Sequence, residues 1–266
     1  MLFDNSLQKL LLKESVIRRK MKSLFWRLFC WAENLGNSNQ ETNGEHFFLR
    51  HIEASAEIVF FDVGANAGSY TRQILLRNPH AIGHVFEPSP KCFELLKEEF
   101  GSRRNIYLQN VAVSSSSGEA YLHYEQEGSE WASLYKRDIS EYGPFSMDKS
   151  SKVKKITLEE YIEQANLTHV DLIKIDVEGH ELEALKGMGR YLSPDFVDCI
   201  QFEYGDCSLD SRIYLRDIYK LLEPAGFVIC KIMRDGLLPC KYRLRLENHQ
   251  YANYVAVGRG HVAAFI

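Results

Sequence analysis

The sequence predicts an α/β fold, a mostly parallel sheet with helices on both faces, and three observations carry that prediction. From Ile58 onward, short β-branched runs alternate with stretches patterned as helices, and such alternation implies crossover connections. The first run opens into a turn of small residues, Gly64-Ala65-Asn66-Ala67-Gly68, set directly before a helical stretch. Finally, 266 residues that are 45% hydrophobic and 26% charged lie inside the globular range, enough to bury a core without a metal or a cross-link.

Residues 1–45 read as an amphipathic helical extension. Arg18, Arg19, Lys20, Lys22 and Arg27 crowd together, with Leu24, Phe25, Trp26, Leu28, Phe29 and Trp31 interleaved. Two uses are open to it. Either the aromatic face caps the core, or residues 13–31 rest on an anionic membrane surface, which basic and aromatic residues on one helix suit. The start, Met1-Leu2-Phe3-Asp4-Asn5, places an acid where a secretory signal needs bases, and no run of about 18 apolar residues is present to span a bilayer. Asn37 to Gly44 reads as a polar connector.

The α/β domain is expected over 46–266. Strands are predicted near Ile58–Val63, Gly83–Glu87, Ile106–Gln109, Asp171–Asp176, Asp198–Glu203, Phe227–Lys231 and Tyr254–Val257. Helices fall between them, near Ser69–Arg77, Pro90–Phe100, Leu158–Ala165, His180–Met188 and Ser211–Leu222. One polar, aromatic-dotted insertion, about 114–155, breaks the rhythm and is expected as a hairpin plus a lid-like loop.

The net charge of −4 and pI near 6.2 argue against a nucleic-acid binder, whose affinity comes from a basic surface. Six cysteines, at 30, 92, 199, 207, 230 and 240, form no C-x-x-C pair and have no histidines at zinc spacing. They read as reduced thiols of a cytoplasmic protein, and no metal site is expected.

The chemistry concentrates in Ile58 to Thr71. An apolar strand, a small-residue turn and a helix let ligand atoms approach backbone N–H groups at a helix N-terminus. Asp62 adds an anion at the strand end, which repels a pyrophosphate and suits a ligand carrying an ammonium and a sulfonium. Glu87, in Val85-Phe86-Glu87-Pro88, stands where an α/β nucleotide site grips ribose hydroxyls. That feature alone does not separate S-adenosylmethionine from NAD, so an NAD-dependent oxidoreductase stays open, as does a non-catalytic binding module.

FDVGANAGSYT, VFEPSP, NVAVSSSSGEAYLHY and ITLEEYIEQANLTHVDLIKIDVEGHELEALKGM resemble the FkbM-type S-adenosylmethionine-dependent methyltransferases over roughly residues 58–205. KIDVEGHELEALKG is the most specific part. The resemblance implies the class I methyltransferase fold, a Rossmann-like sheet of seven strands whose last strand runs antiparallel. It also implies O-methylation of a hydroxyl on a sugar, glycolipid or small metabolite. Carried over by position, it sets Asp62, Gly64, Asn66 and Gly68 around the methionine portion of S-adenosylmethionine and Glu87 on its ribose. Asn110, Val111 and Ala112 then fall at the adenine, and Asp176 beside the reacting centre.

An acceptor hydroxyl must lose a proton as the new bond forms, so a positioned carboxylate or histidine is expected nearby. Asp176 and Glu178 are the first candidates as base or acceptor orienter, Glu203 comes next, and His180 is weaker because a histidine opening a helix more often caps it. Glu181 lies in the same turn. Trp131, Ser133, Tyr135, Arg137 and Tyr142 of the insertion either contact a sugar ring or anchor the loop. The expected partners are therefore a small-molecule or glycan acceptor, with no nucleic acid and a peripheral membrane contact through the N-terminal helix.

Overall fold

The computed structural model describes residues 16–52, 57–258 and 260. The expectations for the N-terminal pentapeptide and for residues 13–15 lie outside them. Eleven strands and eight α-helices follow one another in the described chain. In order they are α1 (Val16–Ala32), α2 (Glu45–Ile52), β1 (Val59–Val63), α3 (Ser69–Arg77), β2 (Ile82–Phe86), α4 (Pro90–Phe100) and β3 (Ile106–Gln109). Next come β4 (Ala112–Val113), β5 (Gly118–Tyr124), β6 (Lys149–Ile156), α5 (Leu158–Ala165), β7 (Val170–Ile175), α6 (Glu181–Lys186) and β8 (Val197–Tyr204). The chain closes with α7 (Cys207–Ser211), α8 (Leu215–Leu222), β9 (Phe227–Met233), β10 (Gly236–Pro239) and β11 (Ala252–Gly258).

The main sheet has the order β10-β9-β11-β8-β7-β1-β2-β3. The strands from β8 to β3 pair in parallel, while β11 is antiparallel to both β8 and β9. This is the class I methyltransferase arrangement, with β10 added at one edge as a hairpin partner of β9. Parallel central strands are covered on both faces, and β1 and β7 are accordingly apolar runs buried almost end to end. Two clusters fill the faces: one gathers Phe61, Phe86, Ile175, Phe202 and Leu222, the other Phe48, Phe60, Ile74, Leu96 and Val255.

Strand order reverses at β1, whose neighbours are β2 on one side and β7 on the other. In an open α/β sheet, ligands bind outside the carboxyl ends of the strands at such a switch point. The insertion supplies a second, three-stranded sheet, β4-β6-β5, so the expected hairpin is present as β5 and β6. β4 joins it by pairing with β6 in parallel.

The N-terminal region divides earlier than residue 45. Leu35 is buried in the core, and the Asn34 side-chain amide donates to the carbonyls of Asn43 and Ile232. Glu45 is buried and accepts a hydrogen bond from Gln201. Thus the stretch expected as a connector belongs to the body, and α1 alone stands apart. No residue of α1 is buried, and its nine large apolar side chains from Val16 to Trp31 are 41–66% exposed. The expectation that its aromatic face caps the core is not met. The helix touches the body through its last turn, where Arg234 lies over the Trp31 ring.

Candidate active site

A cavity of about 810 Å³ opens at the carboxyl ends of β1, β2, β7 and β8. Its size is within the range of small-ligand sites. One end is made by the turn after β1. Gly64 has φ +82°, and a β-carbon there would overlap the Asp176 carbonyl, so only glycine lets the turn lie this close to β7. Glu87 follows β2 and is buried, with one carboxylate oxygen accepting the Asn66 N–H at 2.7 Å and the other the Ser89 N–H at 2.7 Å. Burial raises its pKa to about 7. Each oxygen keeps a second lone pair for a ligand hydroxyl.

Asp62 does not line this cavity. It is fully buried beneath α3, where one carboxylate oxygen accepts the Thr71 hydroxyl at 2.6 Å and the Thr71 N–H at 3.2 Å. A helix leaves its first N–H groups without intrahelical partners, and α3 has no side-chain cap of its own, so Asp62 serves one of them from the adjacent strand. Its other oxygen is buried with no hydrogen-bond partner among the described residues, and burial pushes its pKa up. Gly68 faces Leu96 and Phe100 behind the turn, and the Asn110 amide holds the carbonyls of Glu87 and Pro88. Of the positions expected around the donor, Gly64, Asn66, Glu87, Val111, Ala112 and Asp176 line the cavity, and Asp62, Gly68 and Asn110 support it from behind.

The opposite end collects acids. Asp176 caps β7 and receives the Lys174 ammonium at 2.7 Å. Burial alone would lower Lys174, but Asp176, Asp62 and Glu45 carry its pKa above the usual lysine range. Glu178 has φ +53° and meets the Arg137 guanidinium of the insertion. Burial raises the Glu178 carboxyl, against the pull of Arg137. Arg137 also reaches Asp206 at 3.4 Å, and Tyr142 donates to Asp206 at 2.7 Å.

Glu203 lines the cavity with no hydrogen-bond partner among the described residues, and burial drives its pKa well up. Glu181 turns back and accepts the N–H groups of Val177 and Gly179. His180 lines the cavity with both ring nitrogens engaged, by Tyr135 at 3.1 Å and Ser114 at 3.0 Å, and burial lowers its pKa to about 4.

The insertion closes the acid end. Trp131 and Tyr142 line the cavity and stack on each other with centroids 5.4 Å apart. Ser133 donates to the Glu178 carbonyl at 2.7 Å, whereas Tyr135 contacts His180 and acts as an anchor. Sequence reasoning missed Gly36, Gln40, Asp206, His249 and Tyr251, all of which line the cavity. Asp206 was within reach, being another acid just past a strand end. His249 was also within reach: an antiparallel last strand starts at the sheet edge where the parallel strands end.

At metal-ligand spacing the described residues hold one cluster, His169, Asp171 and Asp198, which stands at the other edge of the sheet, where β7 and β8 begin.

The family model for the methyltransferase FkbM domain matches residues 62–229. Over 173 residues the chain is 31% identical to 2-O-methyltransferase NoeI of Sinorhizobium fredii, covering 62% of this chain and 70% of that protein. It is 30% identical over 202 residues to hexuronic acid methyltransferase AglP of Haloferax volcanii, covering 74% and 76%. To 31-O-demethyl-FK506 methyltransferase FkbM of Streptomyces tacrolimicus it is 24% identical, covering 53% and 64%.

Proposed function

The chain belongs to the FkbM methyltransferase family, and we propose that its cavity joins S-adenosylmethionine to a hydroxyl of a sugar-bearing acceptor. It is an S-adenosylmethionine-dependent O-methyltransferase. Family membership sets aside the oxidoreductase and the non-catalytic module. The observation that carries the reading is one cavity with two unlike ends: the glycine turn and Glu87 at one, and carboxylates facing an aromatic wall at the other.

The residues present fit the donor. Glu87 would hold the ribose through its spare lone pairs, Val111 and Ala112 would flank the adenine, and the Gly64 to Asn66 backbone at the positive end of α3 would meet the methionine portion. Asp62 holds that turn against α3 through Thr71. When bound, S-adenosylmethionine supplies an electrophilic methyl carbon on a positively charged sulfur. Asp176 and Glu178 then orient the reacting end, the first fixed by Lys174 and the second by Arg137. Positioning of this kind accounts for much of the acceleration of a two-reactant displacement.

A sugar suits the acid end for a chemical reason. Carboxylates only accept hydrogen bonds, and a polyol has many O–H groups to donate. Trp131 and Tyr142 offer rings against which a sugar face can pack. The test is incubation of the protein with S-adenosylmethionine and a panel of methyl glycosides, neutral and uronic, read by mass spectrometry. A product heavier by one methylene is expected; donor binding with no transfer to any hydroxyl would count against O-methylation.

The exposed helix α1 favours a peripheral membrane contact. Ile17, Met21, Leu24 and Leu28 repeat at helical spacing on one side, and Arg18, Arg19, Lys20, Lys22 and Arg27 bring five cations with no acid in the helix. No helix among the described residues is long and apolar enough to cross a membrane. The occupant that matches both faces is an anionic lipid surface. Co-sedimentation with phosphatidylserine-containing vesicles, lost in pure phosphatidylcholine and in a Leu24→Asp/Leu28→Asp variant, is expected. Self-association through α1 without vesicle binding would overturn it.

A further inference from the structure

His249 lines the same cavity and takes no part in the donor site. It precedes β11, whose first residue, Ala252, pairs with Tyr204 at the end of β8. That register sets the imidazole at the edge where Glu203 and Asp206 stand. Its backbone is held at φ +52°, as are two other cavity residues, Asn66 at +49° and Glu178 at +53°. Non-glycine residues persist in this region only where their surroundings impose it, and functional sites are where they gather.

The hydrogen bonds around the ring decide its tautomer. His249 Nδ1 lies 2.9 Å from Ser208 Oγ and 3.2 Å from the Tyr204 hydroxyl. Ser208 already donates to the Gly205 carbonyl at 2.5 Å, and Tyr204 to Glu247 at 2.6 Å. Glu247 is fixed as an acceptor by the N–H groups of Leu215 and Arg216 and by the Tyr242 hydroxyl. A hydroxyl has one hydrogen to give, so neither oxygen has one left for Nδ1. With the hydroxyl hydrogens given this way Nδ1 carries the proton and donates it to them; the opposite tautomer would need Ser208 to turn its hydrogen away from the Gly205 carbonyl. In the neutral imidazole the lone pair then sits on Nε2, which has no hydrogen-bond partner among the described residues.

The other candidates are held differently. Asp176 is paired with the Lys174 ammonium and Glu178 with the Arg137 guanidinium, cations that hold each in its charged form and make it a weaker base, Glu181 turns back to backbone N–H groups, and His180 has both ring nitrogens engaged by Tyr135 and Ser114. Glu203 has no such partner, and burial, with Asp176, Glu178 and Glu181 nearby, raises its pKa well above the ordinary carboxylate value.

We propose that His249 is the general base of methyl transfer, with Ser208 and Tyr204 as the positioning residues that set its tautomer. As the acceptor oxygen bonds to the methyl carbon, the carbon–sulfur bond breaks with its electron pair staying on sulfur, and the hydroxyl proton passes to Nε2. The sulfonium charge thus reappears as an imidazolium in the cavity that Glu203 and Asp206 also line, and the proton leaves to solvent. This inference rests on the O-methyl transfer reading.

Two measurements test it together. Nitrogen NMR of the wild-type imidazole should show Nδ1 protonated and Nε2 bare, a readout that needs no acceptor; an Nε2-protonated ring overturns the proposal. His249→Asn keeps a residue at ease with positive φ. Its kcat for methyl glycosides should fall about 10²–10⁴-fold with S-adenosylhomocysteine affinity unchanged. Added imidazole should restore part of the turnover of His249→Gly. Wild-type turnover in His249→Asn overturns the proposal and leaves the methyltransferase reading standing. Failure of the wild-type protein to bind S-adenosylhomocysteine would instead remove that reading.

Discussion

At the donor end of the cavity, the fixed carboxylates are held largely by backbone N–H groups: Glu87 by those of Asn66 and Ser89, and Asp62 by the N–H and hydroxyl of Thr71. At the acceptor end the bonds join distant segments. Arg137 reaches Glu178 and Asp206, Ser133 reaches Glu178, and His249 reaches Ser208. A half built on backbone donors presents the same groups whatever surrounds it. A half built from side chains on separate loops changes whenever one loop changes. The comparison teaches that one donor site can serve many acceptors, and that damage to one end should be separable from damage to the other.

The sharpest way to break the comparison is Glu87→Ala. It removes the proposed ribose contacts and leaves two backbone N–H groups without their acceptor. Hydrogen bonds to a charged group contribute about 1.5–3 kcal/mol each, so the loss of two should weaken S-adenosylhomocysteine by about 10²–10⁴-fold by calorimetry. Arg137→Met should do the reverse. Acceptor KM should rise by about tenfold or more, the equivalent of one charged hydrogen bond, with donor affinity unchanged. Its stability cost should stay below the about 3–5 kcal/mol of a fully buried broken pair, because Asp206 is 41% exposed. Urea denaturation measures it.

A smaller effect is expected from Thr71→Val, which keeps the shape of the side chain and deletes the hydroxyl bonded to Asp62. Stability should fall by about 1–3 kcal/mol with acceptor KM unmoved, and an unchanged denaturation midpoint would remove Asp62 as the anchor of the turn. The smallest concerns pH. The Glu87 carboxyl titrates near 7 when folded, against an ordinary value of 4.5. Between those values the folded state binds the extra proton, so the stabilising contribution is complete below about pH 4.5 and is lost as pH rises through about 7. Melting temperatures of the ligand-free protein should fall less over that window in Glu87→Gln than in wild type.

The same contrast explains what could be read from the chain. β1, β2, β7 and β8 are apolar runs bounded by turns, and their predicted limits lie within two residues of the observed ones. The donor turn was legible because its residues act through local backbone. The limits of β6, with the sequence KSSKVKKI, were not legible within the expected hairpin, because it forms an exposed sheet and of its residues Val153 alone is buried. Arg137 and Asp206 lie 69 positions apart, and no local pattern connects them. The interleaved aromatics of α1 suited both a core cap and a free surface, and only the three-dimensional structure leaves them exposed.

The proposed donor and acceptor ends share one cavity and should be lost independently. Calorimetric titration of S-adenosylhomocysteine into Glu87→Ala and Arg137→Met, side by side with wild type, tests this most directly. Affinity should fall about 10²–10⁴-fold in the first and match wild type in the second. Equal affinity in the two variants, whether both keep the ligand or both lose it, would contradict it.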